Sequence, residues 1–457
     1  MLIDLFRGRF WRIDELFHRS FAVIFVVAVV LTLVLTLALV PTAARAQPLA
    51  KRAIAVSQEA RGTVILRDLP QLMEQEAMRS PAVSRPLRGV SIQQYAALKT
   101  QAASVKPPAR SGAGVVPFTV TSQPKPSAGP APTSITAFGG LGIGCGREIP
   151  PDMALAVGPT FVLQVINGCM TVLDKSGNVQ AGFPKSLSAF MGVGASAQAP
   201  PFDPRAIFDW ANQRYIVSTA HVNAAGAQIL DVAVSRTSDP TAGWFVYRIN
   251  LTANPNPLIP STEVADFPTL GQDRRTIYVA FNAFTLPDTF NGAYMMLLPK
   301  GPMYAGASFD FFALSPEFFT VNGTGEVMDS LQPANVMDRT DDPRAEFVVA
   351  AHNINAPGGP SNVQCATGCN GLVVFAISNP AYSTTSPGPE VSQFLLSTAN
   401  SYSLPPPATQ PGCSTPDCLI DTGDTRISGE AVYASGSLYA ALGTNGTGRR
   451  DAARRLG

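Results

Sequence analysis

The clearest pattern of apolar positions runs from Phe202 to Asn250, where four short apolar runs, RAIFDW, RYIVSTA, ILDVAVS and WFVYRI, are each cut off by Asn, Asp, Gly or Pro. Short runs rich in Val, Ile, Phe, Tyr and Trp and bounded by turn formers predict strands, and four in succession predict an antiparallel meander. Comparable stretches occupy Pro150 to Phe183, Ala265 to Leu314 and Leu331 to Ser397, and another begins at Thr425 and stops at Gly443. Each turns into a strongly apolar second strand: TFVLQVI, RYIVSTA, TIYVAFN, EFVVAAH and SLYAALG. Strands that are apolar almost throughout suit sheets buried on both faces.

Four-strand units recurring every ~50 to 65 residues are what radial sheet folds produce. The expected fold is therefore all-β, a β-propeller of about five or more four-stranded blades over residues 135–443, with the last blade incomplete. A β-sandwich is the competitor, and it would show cleaner in-out alternation. After Leu442 comes GTNGTGRRDAARRLG, so 444–457 reads as a disordered basic tail. Either the chain is truncated there, or a strand near Ile135 to Ile143 completes the last blade, since an open ring exposes a strand edge.

Upstream the texture differs. Phe21 to Val40 is an uncharged apolar run, preceded by Arg7, Arg9, Arg12 and Arg19 and followed by Ala44-Arg45-Ala46. Residues 1–46 read as a signal peptide cut after Ala46, or as an uncleaved anchor whose apolar run spans ~30 Å. The rest is expected to be extracytoplasmic, either secreted or periplasmic, with a membrane contact only through residues 21–40 if these are kept. Residues 47–134 contain SRPLRG, KPPARSG and QPKPSAGPAPTS, a Pro/Ala/Ser-rich linker expected to be mostly disordered. SIQQYAALKTQAA within it predicts a helix of three turns.

Composition narrows the function classes. Charged residues are 14%, against roughly 25% in an average domain, and 38 Gly with 40 Pro suit a loop-rich β fold. A net charge of +1 with no basic face excludes a nucleic-acid partner. Only His221 and His352 lie beyond the N-terminal segment, which argues against His-based metal sites. All six cysteines lie in the exported part, and proximity suggests the pairs Cys145–Cys169, Cys365–Cys369 and Cys413–Cys418.

PPDMALAVGPTFVLQVIN, FDPRAIFDWANQRYIVS, VAVSRTSDPTAGWFVYRI and ADFPTLG together resemble a widespread group of secreted bacterial β-propeller proteins of unsettled function. The likeness covers about Gly139 to Gly443. Members continue past the position of GSLYAA, so this chain looks short at its C-terminus. The resemblance implies the fold and the export, and little chemistry. SDPTAGW is similar to the Asp-box turn of sialidase-like propellers, a structural device in which Asp239 accepts turn amides, Gly243 allows an unusual backbone angle and Trp244 fills the core. Such enzymes also use an arginine cluster with a Tyr/Glu pair, which the sequence does not let us assemble.

The candidate site lies at the start of the units. Asp152, Asp203 and Asp266 each precede a first strand, and Gln332 takes the equivalent place in the fourth unit. First strands line a propeller's channel, so these residues form a possible polar ring at its mouth. Facing carboxylates repel unless a cation sits among them. Asp152, Asp203 and Asp266 would suit Ca²⁺, or Arg205 or Arg426 would supply the charge. No other cofactor is expected. His221 and His352 hold matching places in STAHVN and VAAHN and are further candidates for one face. MDRTDDPR reads as a solvated hairpin turn. No catalytic motif occurs. The expected function is a non-enzymatic binding or adhesion scaffold for a surface glycan or protein. The alternative is a carbohydrate-active hydrolase or lyase, which needs two carboxylates in one pocket at ~5 to 9.5 Å.

Overall fold

The computed structural model describes residues 51–53, 63–72, 83–84, 92–104, 136–146, 148–253, 257–286, 289–352, 365, 368–381, 388–412, 418–427, 429–445 and 455–456. The chain divides into Met1–Pro48 and Leu49–Gly457. The first part, which holds the expected signal or anchor, lies outside the described residues. Among the described residues no helix is long and apolar enough to cross a membrane.

The body is all-β. Unit one is β1 (Ala154–Val157), β2 (Phe161–Ile166), β3 (Cys169–Asp174) and β4 (Lys185–Ser186). Unit two is β5 (Ala199–Asp209), β6 (Arg214–Val222), β7 (Gln228–Ser235) and β8 (Gly243–Asn250). Unit three is β9 (Glu263–Gln272), β10 (Thr276–Thr285), β11 (Thr289–Pro299) and β12 (Phe311–Leu314). Unit four is β13 (Gln332–Val336), β14 (Ala345–His352), β15 (Cys369–Ser378) and β16 (Glu390–Tyr402). The fifth has β17 (Ala431–Ala434) and β18 (Ser437–Tyr439). Within each unit, every strand pairs antiparallel with the next, as a meander requires.

The first strands carry the units' association. β1 lies against β5, and β5 against β9. β9 then pairs in parallel with β13, and β13 with β17. The sheets of units two to four therefore pack one face on the unit before and one on the unit after. In β6 this is visible residue by residue: Tyr215 and Val217 join a core with Leu163 and Val165 of unit one, while Ile216 joins Ile277 and Val279 of unit three. With water on neither face, alternation of apolar and polar positions has no physical cause, and the sandwich reading loses its support. Among the described residues no sheet closes on itself.

A polar seam crosses the same inner strands. The Lys300 ammonium donates to Asp209 Oδ2 at 2.6 Å, and also to the Gln272 side chain and the Asp273 carbonyl. Gln272 Nε2 donates to Asn335 Oδ1 at 2.9 Å, and Asn335 Nδ2 to Glu430 Oε2 at 3.1 Å. Units two to five are thus joined by one chain of hydrogen bonds, with Lys300 2% and Asp209 0% exposed.

The stretch expected to be a linker supplies structure to the body. Thr63–Ile65 pairs with the start of β8 and Lys51–Ala53 with β12, so two outer edges gain a further strand. The expected helix forms over Ile92–Ser104. Its Lys99 donates to the carbonyls of Pro405 (2.6 Å) and Gly423 (2.8 Å) and to Thr422 Oγ1 (2.8 Å). In the expected basic tail, Arg455–Leu456 pairs with β18. Cys145–Cys169 and Cys365–Cys369 are bonded. Cys418 is in a disulfide too, while Cys413 lies outside the described residues.

The SDPTAGW turn does structural work. Asp239 Oδ1 accepts from Thr241 N (2.9 Å) and Oγ1 (2.7 Å), and Trp244 Nε1 donates to the Pro240 carbonyl (2.8 Å). Gly243 is required for space rather than for an unusual angle: a Cβ there would meet Thr63 Cγ2 at 2.8 Å. Trp244 is fully buried and meets Phe190 edge-on, ring centroids 5.2 Å apart. Trp244→Ala is expected to cost about 3–5 kcal/mol of stability, measured as a fall in the urea midpoint with unchanged slope.

Candidate functional site

Where the chain turns into a first strand, one residue per unit adopts a left-handed backbone: Asp152 (φ 39°), Asp203 (φ 48°), Phe267 (φ 51°) and Ser330 (φ 50°). Such conformations cost about 1–3 kcal/mol at a non-glycine residue and persist only where the surroundings over-determine them. This shared geometry defines the true equivalent positions. Asp266 sits one residue before its unit's position and Gln332 two residues after. The expected four-membered ring therefore resolves to Asp152, Asp203, Phe267 and Ser330. The same bulge interrupts β5 between Phe202 and Arg205 and β9 between Asp266 and Thr269, so Asp203-Pro204 and Phe267-Pro268 take the same place, a match that residue type alone does not reveal.

Asn167, in the Asn-Gly turn between β2 and β3, builds the centre of the site. It is fully buried. Its Nδ2 donates to Asp152 Oδ2 (2.9 Å) and to the Pro150 carbonyl (3.0 Å), and its Oδ1 accepts the Asp203 backbone N–H (2.8 Å). One carboxamide from unit one thus holds the leading aspartates of units one and two together. The Asp203 carboxyl lies within hydrogen-bonding reach of Asp152. Burial, the Asp203 charge and that hydrogen bond push the Asp152 carboxyl up to about 7, against the opposing pull of Asn167 and Arg205. A carboxylate this close makes ionising Asp152 costly, so Asp152 keeps its proton far above the ordinary carboxylate range.

Two arginines stand beside this pair. Arg205 is half-buried and feels the charges of Asp203, Asp152, Arg426 and Glu430. Its Nε donates to the Pro268 carbonyl at 2.8 Å, and its guanidinium lies 5.3 Å from the Phe267 ring centroid. The Arg426 guanidinium lies 4.2 Å from the same centroid, and its Nε donates to Asp424 Oδ2 at 2.7 Å. Phe267, the third-unit counterpart of the aspartates, is therefore the aromatic piece on which both cations rest. The Glu430 carboxyl is raised by burial, against the opposing effects of Asn335 and Arg205.

Other expected candidates lie elsewhere. Asp266 acts on Arg426 electrostatically. Gln332 is buried, with its Nε2 donating to the Pro333 carbonyl at 3.3 Å. His221 is buried with Nδ1 2.8 Å from Asp231 Oδ2, and His352 is buried with Nδ1 3.2 Å from Glu326 Oε2. Each histidine is enclosed with its own carboxylate inside its unit, rather than presented at a mouth. In MDRTDDPR the three acids take three different partners: Thr340 for Asp338, the Ser435 N–H for Asp341, and Arg275 for Asp342. Asp342 and Arg275 line a surface cleft of about 380 Å³. That cleft lies at the opposite end of β9 from Phe267, beyond Gln272. Among the described residues, no group of three or more His, Cys, Asp or Glu converges as a metal site. The charge facing Asp152 and Asp203 comes from Arg205.

No family model matches the chain, and no curated protein does. Solved structures do. A Trypanosoma rangeli sialidase in complex with sialic acid is similar at 10% identity and TM-score 0.33, over 66% of this chain and 43% of its own. The exo-β-1,3-galactanase of Phanerochaete chrysosporium, with β-1,3-galactotriose, is similar at 10% identity and TM-score 0.30, over 63% and 55%. A thermostable family-43 glycoside hydrolase is similar at 11% identity and TM-score 0.28, over 60% and 93%. The chain spans less than half the length of the sialidase and little more than half that of the galactanase. These neighbours are glycoside hydrolases, which corrects the expectation of a non-enzymatic binding or adhesion scaffold.

Proposed function

We propose that this protein is an exported carbohydrate-active enzyme that cleaves glycosidic linkages by acid–base chemistry at the mouth of a five-unit β-propeller. The observation that carries the reading is the Asp152–Asp203 pair beside Arg205, in which Asp152 is held up to about 7. A carboxyl held near 7 keeps its proton at neutral pH and releases it readily, as a general acid must. Asp152 donates its proton to the departing glycosidic oxygen while a water loses a proton to Glu430 and its oxygen bonds to the anomeric carbon. Asn167 and Arg205 stabilise the negative charge left on Asp152 until the proton taken by Glu430 returns to it through solvent. The two aspartates are closer than the ~5 to 9.5 Å of carboxylates that flank a sugar from opposite sides. They act as one acid–base group, and Glu430, which also faces Arg205, supplies the second carboxyl. The bonded cysteines suit an oxidising compartment outside the cytoplasm.

Release of reducing ends from a panel of oligosaccharides tests this. Activity is expected at acid to neutral pH and should fall as pH rises through about 7, because Asp152 loses its proton there. Stability follows the same sign. A folded value above the ordinary carboxylate range contributes stability below that range and loses it as pH rises through about 7. No cleavage of any panel member, or a rate independent of pH from 5 to 8, overturns the reading.

A further inference from the structure

Residues 403–430 lie between β16 and β17 and bring Asp424 and Arg426 to the site. Sheet pairing does little to fix them. Among the described residues of this stretch, Ala408 and Ile420 alone are paired as strand. The order of residues 421–426 therefore has another source, and the helix Ile92–Ser104 supplies it.

The helix meets the stretch with one face, on which Tyr95, Lys99 and Ala102 follow at i, i+4 and i+7. Lys99 is 4% exposed. Its three donors take the carbonyls of Pro405 and Gly423 and the Thr422 hydroxyl, and its ammonium lies 3.2 Å from Asp421 Oδ1. The Tyr95 hydroxyl reaches Asp421 Oδ1 (3.1 Å) and the Gly423 carbonyl (3.2 Å). Asn445 Nδ2 donates to the Ala102 carbonyl at 3.3 Å. Gly423, held twice from the helix, directly precedes Asp424. From there printed contacts lead inward: Asp424 accepts both the backbone N–H and Nε of Arg426, whose guanidinium rests on the Phe267 ring.

This docking is mostly polar. Among the described side chains of the helix, Lys99 and Ala102 alone are buried. A helix of 13 residues is marginal by itself, and hydrogen bonds made in competition with water each contribute modestly. Such an element opens locally at low free energy. From these contacts we infer that the helix Ile92–Ser104 is a reversible latch on the site. Docked, it fixes residues 421–424 and, through Asp424, the seat of Arg426 on Phe267. Undocked, it frees them together. Lys99 is a positioning residue, acting through the loop it holds. The latch goes beyond the proposed cleavage and does not depend on it.

Hydrogen exchange of the full chain, followed by mass spectrometry, tests the latch. In the native protein, residues 92–104 and 421–426 should exchange at a common rate, faster than β10 and β14. Lys99→Met keeps the apolar stem and removes the donors. It should speed exchange in both stretches by roughly 10- to 100-fold, the factor expected for loss of a charged hydrogen bond, and leave β10 and β14 as they were. Lys99→Arg should recover part of the protection, and Tyr95→Phe should act in the same direction with a smaller effect. A role confined to the helix itself would speed exchange in 92–104 and leave 421–426 at the native rate, which overturns the latch. Acceleration of β10 and β14 alike in both Lys99→Met and Tyr95→Phe overturns it too, because the helix would then support the whole fold. Failure of the native protein to cleave any glycan defeats the proposed reaction and leaves these outcomes unchanged.

Discussion

Asp203→Asn is expected to lower glycan cleavage by about 10²- to 10⁴-fold, the range associated with loss of a positioned acid or base. The substitution is mild in every other respect. Asn has the same shape, and it tolerates the left-handed backbone that Asp203 adopts at φ 48°. The bond from the Asp203 backbone N–H to Asn167 is untouched. What changes is the neighbouring charge. Without it, one of the causes that hold the Asp152 carboxyl near 7 disappears. The pH at which residual activity falls should therefore move down toward the ordinary carboxylate range. A purely structural role for Asp203 would lower the melting temperature and leave the pH profile in place. A variant rate within twofold of the native rate would show that the pair is not the acid–base group.

Lys300→Met should destabilise the fold by about 3–5 kcal/mol, because removing one partner of a buried ion pair leaves the other charge uncompensated. Asp209 is fully buried. The change removes the 2.6 Å ammonium contact and leaves Asp209 the neutral donors Tyr304 (2.6 Å) and Asn212 (3.0 Å from its N–H and 2.9 Å from its Nδ2). It also breaks the seam joining units two and three through Gln272 and Asp273. Denaturation in urea measures the loss. The double variant Asp209→Asn with Lys300→Met should recover a substantial part, since no buried charge is then left alone. If the double variant is no more stable than Lys300→Met, the loss comes from packing and the electrostatic account fails.

The correction of function has an identifiable origin. Residue type at the starts of the units points to Asp152 and Asp203. Asp266 and Gln332, of similar type, fall out of register, because the bulge that places Asp203 after Phe202 places Phe267 after Asp266. Phe267 and Ser330, which do occupy the equivalent positions, share only a backbone angle with the aspartates. Asn167 was missed although its Asn-Gly turn was legible as a hairpin. A turn reads the same whether its side chain faces solvent or clamps two neighbouring units. His221 and His352 matched in sequence because both end second strands, a position that here is interior.

The sequence by itself determined the strands, their grouping into four complete meanders and a partial fifth, and two of the disulfides. These depend on contacts within a few tens of residues, where apolar runs and turn formers act directly on the chain. It also pointed to second strands buried on both faces, since each of them is apolar almost throughout. Only the tertiary structure decided which side chains meet. Arg205 and Arg426 belong to units two and five, Asn167 and Asp203 to units one and two, and Glu430 reaches Asn335 across a parallel pair of first strands. Parallel packing of first strands brings together residues that no local pattern connects. A carboxyl such as Asp152 keeps its proton toward neutral pH because of the neighbours that packing supplies.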